Sequence, residues 1–409
     1  MDDMNISINK MDDMDISIDK MDDMDILRDK INEIDTNLLN LFEERMSAVK
    51  EIGEYKMNHD LPVHNSEREK EVLESKVKML KNTDILNETG EFFRALMTIS
   101  RNYQHKIIDK KDIQDLSLML QSFWLSSKQL NLKNSTVVYQ GIPGSYSEEA
   151  LMMFFDEDNT IKTNVNTFEE VFKTILNGDA DYGIVPLENS TTGSVIDTYD
   201  LLVKYNCYIV GEQILKVDQN LLGLENAKID EITDVYSHPQ GFSQSAAFLK
   251  QHPKWNLIPY HNTAISAKYV KESANPTKAA IASKRACEKY GLTILKRNIN
   301  HSPTNYTRFI IVAKNMHSPV GSNKISVMFS LPHKSGTLYN ILANFTYNNI
   351  NMHKIESRPM PDKNWEYYFF IDFEGSLNDK IIRQTILNIS NECLRFNFLG
   401  NYKSDIFAG

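Results

Sequence analysis

Apolar side chains at Leu27, Ile31, Ile34, Leu38 and Leu41, then at Ala48, Ile52 and Tyr55, recur in steps of three and four. That spacing puts them on one face of a helix. No proline interrupts the pattern before Pro62, so it predicts one helix of about 35 residues, longer than the usual globular range. A stripe that long needs a bundle or a second copy of the chain to cover it. Ahead of it the first thirty residues repeat with a period of ten: MDDMNISINK, MDDMDISIDK, MDDMDILRDK. The first two copies, residues 1–20, are polar and acidic, can bury little, and read as a frayed or loosely helical extension.

Two more helical runs follow. His64-Asn65-Ser66-Glu67 opens the second, with Asn65 or Ser66 as N-cap and acids in its first turn, and it continues to about Leu80. The third covers about Glu88 to Ile108 and carries Phe92, Phe93, Leu96, Met97, Ile99 and Tyr103. Residues 21–110 therefore read as an all-α domain. Residues 111–134 read as a linker, helical in part.

At 409 residues the chain has room for roughly two to four domains, and a hydrophobic content of 41% is enough to bury real cores. Lys plus Arg number 45 against 55 Asp plus Glu, a net charge of −10. That balance opposes a nucleic-acid or anionic-membrane partner, though not an anionic metabolite held by local charge. No apolar run approaches the ~18 residues of a membrane helix, and Met1-Asp2-Asp3 starts neither a basic nor an apolar leader. Cys207, Cys287 and Cys393 stand far apart without a CxxC pair, so no disulfide framework or structural zinc site is expected, and a cytoplasmic location fits. The ten histidines are scattered, with no HExxH, and neither metal nor organic cofactor is expected.

Cations break into the long helix. Arg45 sits between Leu41 and Ala48, and a buried guanidinium is costly unless paired. Lys56 lies eleven residues on, about 16 Å along the axis and back on nearly the same face. Two cations thus look into one space. Either they serve internal salt bridges, to Glu44, Glu69 or Glu71, or they hold an anion. Arg28 is about 25 Å from Arg45 on the same helix, too far to share a small ligand within one chain but within reach of the site of an antiparallel partner. Arg68 and Glu69 start the second helix, and Ser100 and Gln104 share a face of the third through their i, i+4 spacing.

In order and spacing, Leu27-Arg28-Asp29-Lys30-Ile31 with Asp35, then Glu44-Arg45, Lys56, Pro62-Val63, Glu67-Arg68-Glu69, Ser100 and Gln104 resemble the all-helical chorismate mutase family. The resemblance implies an intertwined dimer with two sites. By position it implies Arg28, contributed across the dimer, with Arg45, Lys56, Arg68, Glu69, Ser100 and Gln104 as the substrate-contacting set. Asn65 stands where the family commonly has Asp; it keeps an acceptor for a substrate hydroxyl and loses the charge, a modest change. Chorismate is a dianion whose rearrangement to prephenate is pericyclic, so positioning and fixed cations suffice.

From Thr136 the pattern changes. Short strand-like runs (Val137 to Tyr139, Tyr182 to Pro186, Cys207 to Val210, Val235-Tyr236, Ala279 to Ala282, Phe309 to Ala313) alternate with helical stretches, which reads as an α/β domain over residues 135–316. Four turn motifs accompany them: Gly144-Ser145-Tyr146-Ser147, the run Pro186 to Gly193 with Glu188, Asn189 and Ser190, the run Ser237 to Ser243 with His238, and Asn305-Tyr306-Thr307-Arg308-Phe309. Singly, their hydroxyls cap helices; together, helix starts at strand ends make an anion site. In this order the motifs resemble the prephenate dehydratase family. That resemblance implies two α/β subdomains, like a periplasmic binding protein, with prephenate in the cleft between them. It makes Thr307 the essential hydroxyl, a hydrogen-bond donor to the departing oxygen, with Ser145, Glu188, Asn189, Ser190, His238 and Phe309 at the cleft. Arg308 has two readings, a carboxylate clamp or a structural ion pair beneath the cleft. His238 is equally readable as a turn residue.

Past a boundary marked by Pro319 and Gly321, residues 324–405 read as strand, helix, two strands, helix and strand, the βαββαβ order of a ferredoxin-like sandwich. Ser335-Gly336-Thr337-Leu338 and Glu356-Ser357-Arg358-Pro359 resemble the two motifs of the ACT regulatory domain, Gly-Ala-Leu-Val and Glu-Ser-Arg-Pro, which bind phenylalanine between subunits. The resemblance implies effector contacts from Gly336, Leu338, Glu356, Ser357 and Arg358; Tyr339 departs from the motif and adds bulk.

The reading that follows is a two-activity enzyme acting on chorismate and prephenate, inhibited by L-phenylalanine and at least dimeric. Two alternatives stay open: arogenate as the dehydratase substrate, and a non-catalytic amino-acid sensor on the same scaffold. The acidic charge opposes a nucleic-acid regulator.

Overall fold

A computed structural model describes residues 5–59, 61–63, 65–108, 130, 132, 134–360, 363 and 365–405. The expected linker, residues 111–134, falls largely outside them. The chain divides into two compact units, Met1–Leu116 and Ser117–Gly409. Among the described residues no helix is long and apolar enough to cross a membrane.

The first unit is helical: α1 (Asn5–Asn58), α2 (Ser66–Met79) and α3 (Leu86–Ile108). Helix α1 runs unbroken from Asn5, within the first copy of the repeat, where the sequence suggested a frayed or loosely helical extension; no proline or glycine precedes Gly53 to stop it. Asn65 is the N-cap of α2, its side chain accepting from the Arg68 N–H at 3.0 Å. Helix α3 packs on both α1 and α2. At 1.5 Å per residue α1 is about 81 Å long and α3 about 35 Å, so α3 covers less than half of it. The face of α1 turned toward α3 carries Phe42, Arg45, Met46, Val49, Gly53 and Lys56. The apolar stripe lies beside that face. Leu27, Ile31, Ile34, Leu38 and Leu41 are 46–61% exposed, and Ile52 and Tyr55 are 49% and 59% exposed.

Among the described residues the second unit contains three sheets. In chain order the strands are β1 (Thr136–Gln140), β2 (Ile161–Val165), β3 (Tyr182–Asn189), β4 (Gly193–Ser194), β5 (Tyr208–Lys216), β6 (Asn220–Gly223), β7 (Asp234–Ser237), β8 (Asn256–Pro259), β9 (Lys278–Ala282), β10 (Thr293–Lys296) and β11 (Tyr306–Ala313). They build two lobes. One sheet has the order β2-β1-β3-β11-β5, with β4 paired to β3, and the other has the order β10-β6-β9-β7-β8. The chain crosses between the lobes after β5 and returns before β11. Of these strands, β1, β3, β5, β7, β9 and β11 overlap the runs read from the sequence, while β6, buried along its whole length, and the two-residue β4 were not read as strands. Strands β2, β8 and β10 escaped the sequence reading because they are sheet edges with mostly exposed or half-exposed residues, so they lack a continuous apolar run.

The first lobe is covered on one face by α4 (Tyr146–Phe154) and on the other by α5 (Phe168–Asn177) and α6 (Ile196–Tyr205). The second-lobe helices are α7 (Pro239–Gln244), α8 (Ala246–Leu249), α9 (Thr263–Ser273) and α10 (Lys284–Tyr290).

The last sheet is antiparallel, in the order β13-β14-β12-β15, from β12 (Lys324–Ser330), β13 (Met352–Pro359), β14 (Tyr367–Glu374) and β15 (Arg395–Tyr402). With α11 (Thr337–Tyr347) and α12 (Lys380–Glu392) it has the βαββαβ order read from the sequence. It shares a core with the first lobe: Val138, Val185 and Ile310 join Met328, Phe370 and Leu399 in one cluster. Strand β15 comes so close to β5 that a Cβ on Gly400 would lie 2.0 Å from the Ile209 carbonyl oxygen. Only glycine permits that approach.

Candidate active sites

In the helical unit, α1 and α3 bring the two inward cations onto the Ser100–Gln104 face. Arg45 donates from Nη1 to Ser100 Oγ at 2.6 Å, and the Ser100 hydroxyl donates in turn to the Leu96 carbonyl at 2.5 Å. Lys56 Nζ donates to the Val63 carbonyl at 2.6 Å and to Gln104 Oε1 at 3.4 Å. Gln104 in turn donates to the Val49 carbonyl at 3.4 Å. Partial burial lowers the pKa of both cations, and Glu69 of α2 pushes Lys56 back up. Arg101, not picked out by pattern, is buried and donates to Glu69 at 2.5 Å. Nothing in its spacing set it apart from an ordinary exposed arginine.

Other expected residues stand apart from this cluster within one chain. Arg28 is exposed and paired with Asp25 at 3.1 Å. Arg68 is exposed and paired with Glu71 at 3.0 Å. Asn65 caps α2.

In the second unit a cleft of about 440 Å³ opens between the lobes. Ser145, Tyr146, Asn189, Ser194, Gln219, His238, Gln240, Gln244, Thr307 and Phe309 line it. Two of them are helix caps as well as lining. Ser145 Oγ accepts from the Glu148 N–H at 3.3 Å, and His238 Nδ1 accepts from the Gln240 N–H at 3.2 Å. Burial lowers the His238 pKa, which favours the neutral ring that this cap requires.

Asn189 and Thr307 are ladder partners on β3 and β11. Asn189 Nδ2 donates to Thr307 Oγ1 at 2.9 Å and to Asn305 Oδ1 at 2.8 Å. Its Oδ1 accepts from the backbone N–H groups and hydroxyls of both Thr191 and Thr192. Asn189 therefore fixes the β3–β4 turn and engages the Thr307 oxygen as an acceptor, which leaves the Thr307 proton to donate into the cleft. Gln240 reaches across the mouth to Thr192 Oγ1 at 3.1 Å, and Gln219 donates to Gln244 Oε1 at 3.0 Å. Gln240 lies inside the Ser237 to Ser243 motif and Gln244 directly after it, but an uncharged amide gives no reason to single either out. Gln219 lies in no motif.

Three expected cleft residues face the other way. A bulge brings Phe309 opposite Pro186, with Arg308 opposite Glu188, and alternate side chains on a strand point to opposite faces. Glu188 turns from the cleft to pair with Lys354 at 2.9 Å. Ser190 is exposed on the outer side of the turn, donating to the Thr304 carbonyl at 2.7 Å and accepting from the Tyr306 N–H at 2.9 Å. Of its two readings, Arg308 takes the structural ion pair. It donates to Glu212 at 2.6 Å, Asp372 at 2.5 Å and Tyr402 Oη at 2.8 Å, and Lys324 shares Glu212 at 2.9 Å. Burial opposes the charge on Asp372, but Arg308 and Lys324 outweigh it and hold its carboxyl below the ordinary value.

In the last sheet, Gly336 has a φ of 84° and opens α11, and Leu338 lines a pocket of about 340 Å³ with Leu331, Thr337, Trp365 and Phe369. Ser357 is exposed, while Glu356 and Arg358 turn inward onto the first lobe.

A helical unit with two desolvated cations over a polar face, followed by a two-lobed α/β unit whose cleft presents a threonine hydroxyl and side-chain amides, defines an enzyme with two separate sites for small anions. The family model of chorismate mutase type II matches residues 27–105, and that of prephenate dehydratase matches residues 137–317. The bifunctional chorismate mutase/prephenate dehydratase of Aquifex aeolicus is 31% identical over 371 residues, covering 90% of this chain and 94% of its own length. The crystal structure of the Arthrobacter aurescens prephenate dehydratase in complex with L-Phe is 27% identical with a TM-score of 0.61, over 66% of this chain and 90% of that one. GqqA, described as a novel type of quorum quenching acylase, has the same TM-score of 0.61 at 25% identity, over 67% of this chain and all of that one. The chain belongs to the bifunctional chorismate mutase/prephenate dehydratase family. It rearranges chorismate to prephenate and converts prephenate to phenylpyruvate, two consecutive steps of phenylalanine biosynthesis.

Proposed function

We propose that the two activities are divided between the two units, are subject to feedback by L-phenylalanine, and operate in a cytoplasmic dimer. In this reading the domains are 21–110, 135–316 and 324–405, the last an ACT domain, and the two lobes work like a periplasmic binding protein. In the mutase, Arg45 and Lys56 hold the dianion in its compact conformer and stabilise charge on the ether oxygen, with Ser100 and Gln104 orienting them. This reading also assigns substrate contacts to Arg68, Glu69 and Asn65. Arg28 comes from the second copy of the chain; the exposed stripe from Leu27 to Leu41 supports this, because it is the surface a partner would cover.

In the dehydratase, prephenate loses carbon dioxide and its ring hydroxyl as the ring becomes aromatic. The Thr307 O–H donates to that departing oxygen while the cleft amides hold the carboxylates. The observation that carries this role is the hydrogen bond from Asn189 to Thr307, which uses the hydroxyl as an acceptor and supports its acting as a donor to the substrate. Regulation is supported by the pocket at Leu338 and by the L-Phe complex of the Arthrobacter dehydratase.

The test is a time course with chorismate, followed by its ultraviolet absorbance and by alkaline detection of phenylpyruvate, with and without L-phenylalanine. Phenylpyruvate formation slowed by phenylalanine supports the whole assignment. Accumulation of prephenate would remove the role given to Thr307, and a rate indifferent to phenylalanine would remove the effector site.

A further inference from the structure

Strand β13 alternates along its length. Lys354, Glu356 and Arg358 are partly buried, while His353 before them and Ile355 and Ser357 between them are exposed. That period of two puts one row of polar side chains against the first lobe. The whole row meets one short segment there, from β4 into α6. Lys354 Nζ donates to Ser194 Oγ at 3.0 Å and lies 5.6 Å from the Tyr199 ring centroid. Ser194 Oγ donates to Glu356 at 2.6 Å, and Arg358 pairs with Asp200 at 3.2 Å. The same Lys354 Nζ pairs with Glu188 at 2.9 Å and lies 3.9 Å from Glu356.

This segment is also a wall of the dehydratase cleft, which Gly193, Ser194 and Val195 line. Glu188 and Ser194 are opposite each other in the β3–β4 ladder, as are Asn189 and Gly193. Lys354 therefore grips both strands of the turn whose next residue, Asn189, holds the Thr307 hydroxyl. Its side chain is 13% exposed, against 37% for Glu188 and 28% for Glu356, so the cation is held at the buried end of partly solvated pairs. Without it, Glu188 and Glu356 would face the Ser194 hydroxyl with no cation between them.

We infer that Lys354 is a positioning residue: it couples the effector strand β13 to the β3–β4 wall of the dehydratase cleft. The inference rests on the effector reading above. An effector that shifts β13 moves Lys354, and Lys354 moves the turn that orients Thr307. Coupling of this kind needs only that the two ends of the contact favour different positions with and without ligand.

The experiment compares full-length wild type, K354Q and K354R. It measures L-phenylalanine binding by calorimetry, prephenate turnover against phenylalanine concentration, and the thermal midpoint. K354Q is expected to bind phenylalanine within about threefold of wild type, while saturating phenylalanine lowers its prephenate turnover at least about tenfold less than it lowers that of wild type, within the usual span of allosteric coupling. K354R, which keeps the cation, is expected to remain inhibited. Inhibition of K354Q to the same extent as wild type would overturn the inference, as would loss of phenylalanine binding, which would place Lys354 in the effector site itself. A fall in turnover matched by a fall in the midpoint would also overturn it, by making Lys354 a fold contact. A wild type that neither binds phenylalanine nor responds to it would overturn the effector reading first, and this inference with it.

Discussion

Asn189 and Thr307, 118 positions apart in sequence, face each other on neighbouring strands, and the Asn189 amide donates to the Thr307 hydroxyl at 2.9 Å. The direction of that bond matters more than its existence. An amide that donates leaves the hydroxyl proton for a ligand, whereas an acceptor in its place would claim the proton.

Replacing Asn189 with Asp tests this directly. A carboxylate at that position accepts from Thr307, so the hydroxyl no longer donates into the cleft. Dehydratase kcat should fall by about 10²-fold or more, the low end of what a positioned proton donor contributes. The chorismate mutase rate, measured in the same protein, should be unchanged.

Arg45 and Ser100 form the corresponding pair in the helical unit. Arg45→Ala removes a fixed cation and should lower mutase kcat/KM by about 10²–10³-fold, the range for losing one preorganised donor. Ser100→Ala leaves the guanidinium in place but unguided and should cost less, about tenfold. Phenylpyruvate formation from added prephenate should not change in either variant.

Arg308 is a prediction about stability rather than chemistry. Its side chain is 11% exposed and satisfies Glu212 and Asp372, which are 0% and 9% exposed. Removing one partner of a buried ionic cluster leaves uncompensated charge and costs about 3–5 kcal/mol. Arg308→Met should lower the urea midpoint of the second unit by a corresponding amount. Arg308→Lys should not restore it, because one ammonium cannot reach three acceptors.

His238 predicts a pH dependence. Burial holds its pKa below the ordinary 6.5, and the folded protein needs the neutral ring to accept from Gln240. The stabilisation is therefore complete above about 6.5 and is lost as pH falls from there through the lower folded value. Dehydratase activity should decline on the acid side with an inflection below 6.5, and His238→Asn, which keeps a capping acceptor without titrating, should flatten that limb.

The stripe on α1 predicts an assembly. Leu38→Glu places a charge on a surface that is 46% exposed in one chain and, in the proposed dimer, covered. Sedimentation should show dissociation toward monomer, with mutase activity lost because Arg28 no longer reaches the neighbouring site. A dimer that survives this change would remove the shared-site proposal.

Much was legible in the sequence because the signals were local. The i, i+3, i+4 spacing of Leu27 to Leu41, the cap at Asn65, the hydroxyls at Ser145 and Thr307 and the βαββαβ order after residue 324 each depend on a few neighbouring residues and on a fixed helical or strand period. Edge strands with mixed exposure were missed for the same reason: their pairing partners, not their own pattern, make them strands. What a motif could not reveal is which way each member points. Thr307 and Arg308 are adjacent, and so are Asn189 and Glu188, yet one of each pair enters the cleft and the other goes to the C-terminal sheet. The sequence alone determined the elements, their order and the chemistry they carry. Only the tertiary structure decided which face of β3 and β11 became the cleft, because that depends on where a second lobe and a third sheet come to rest against them.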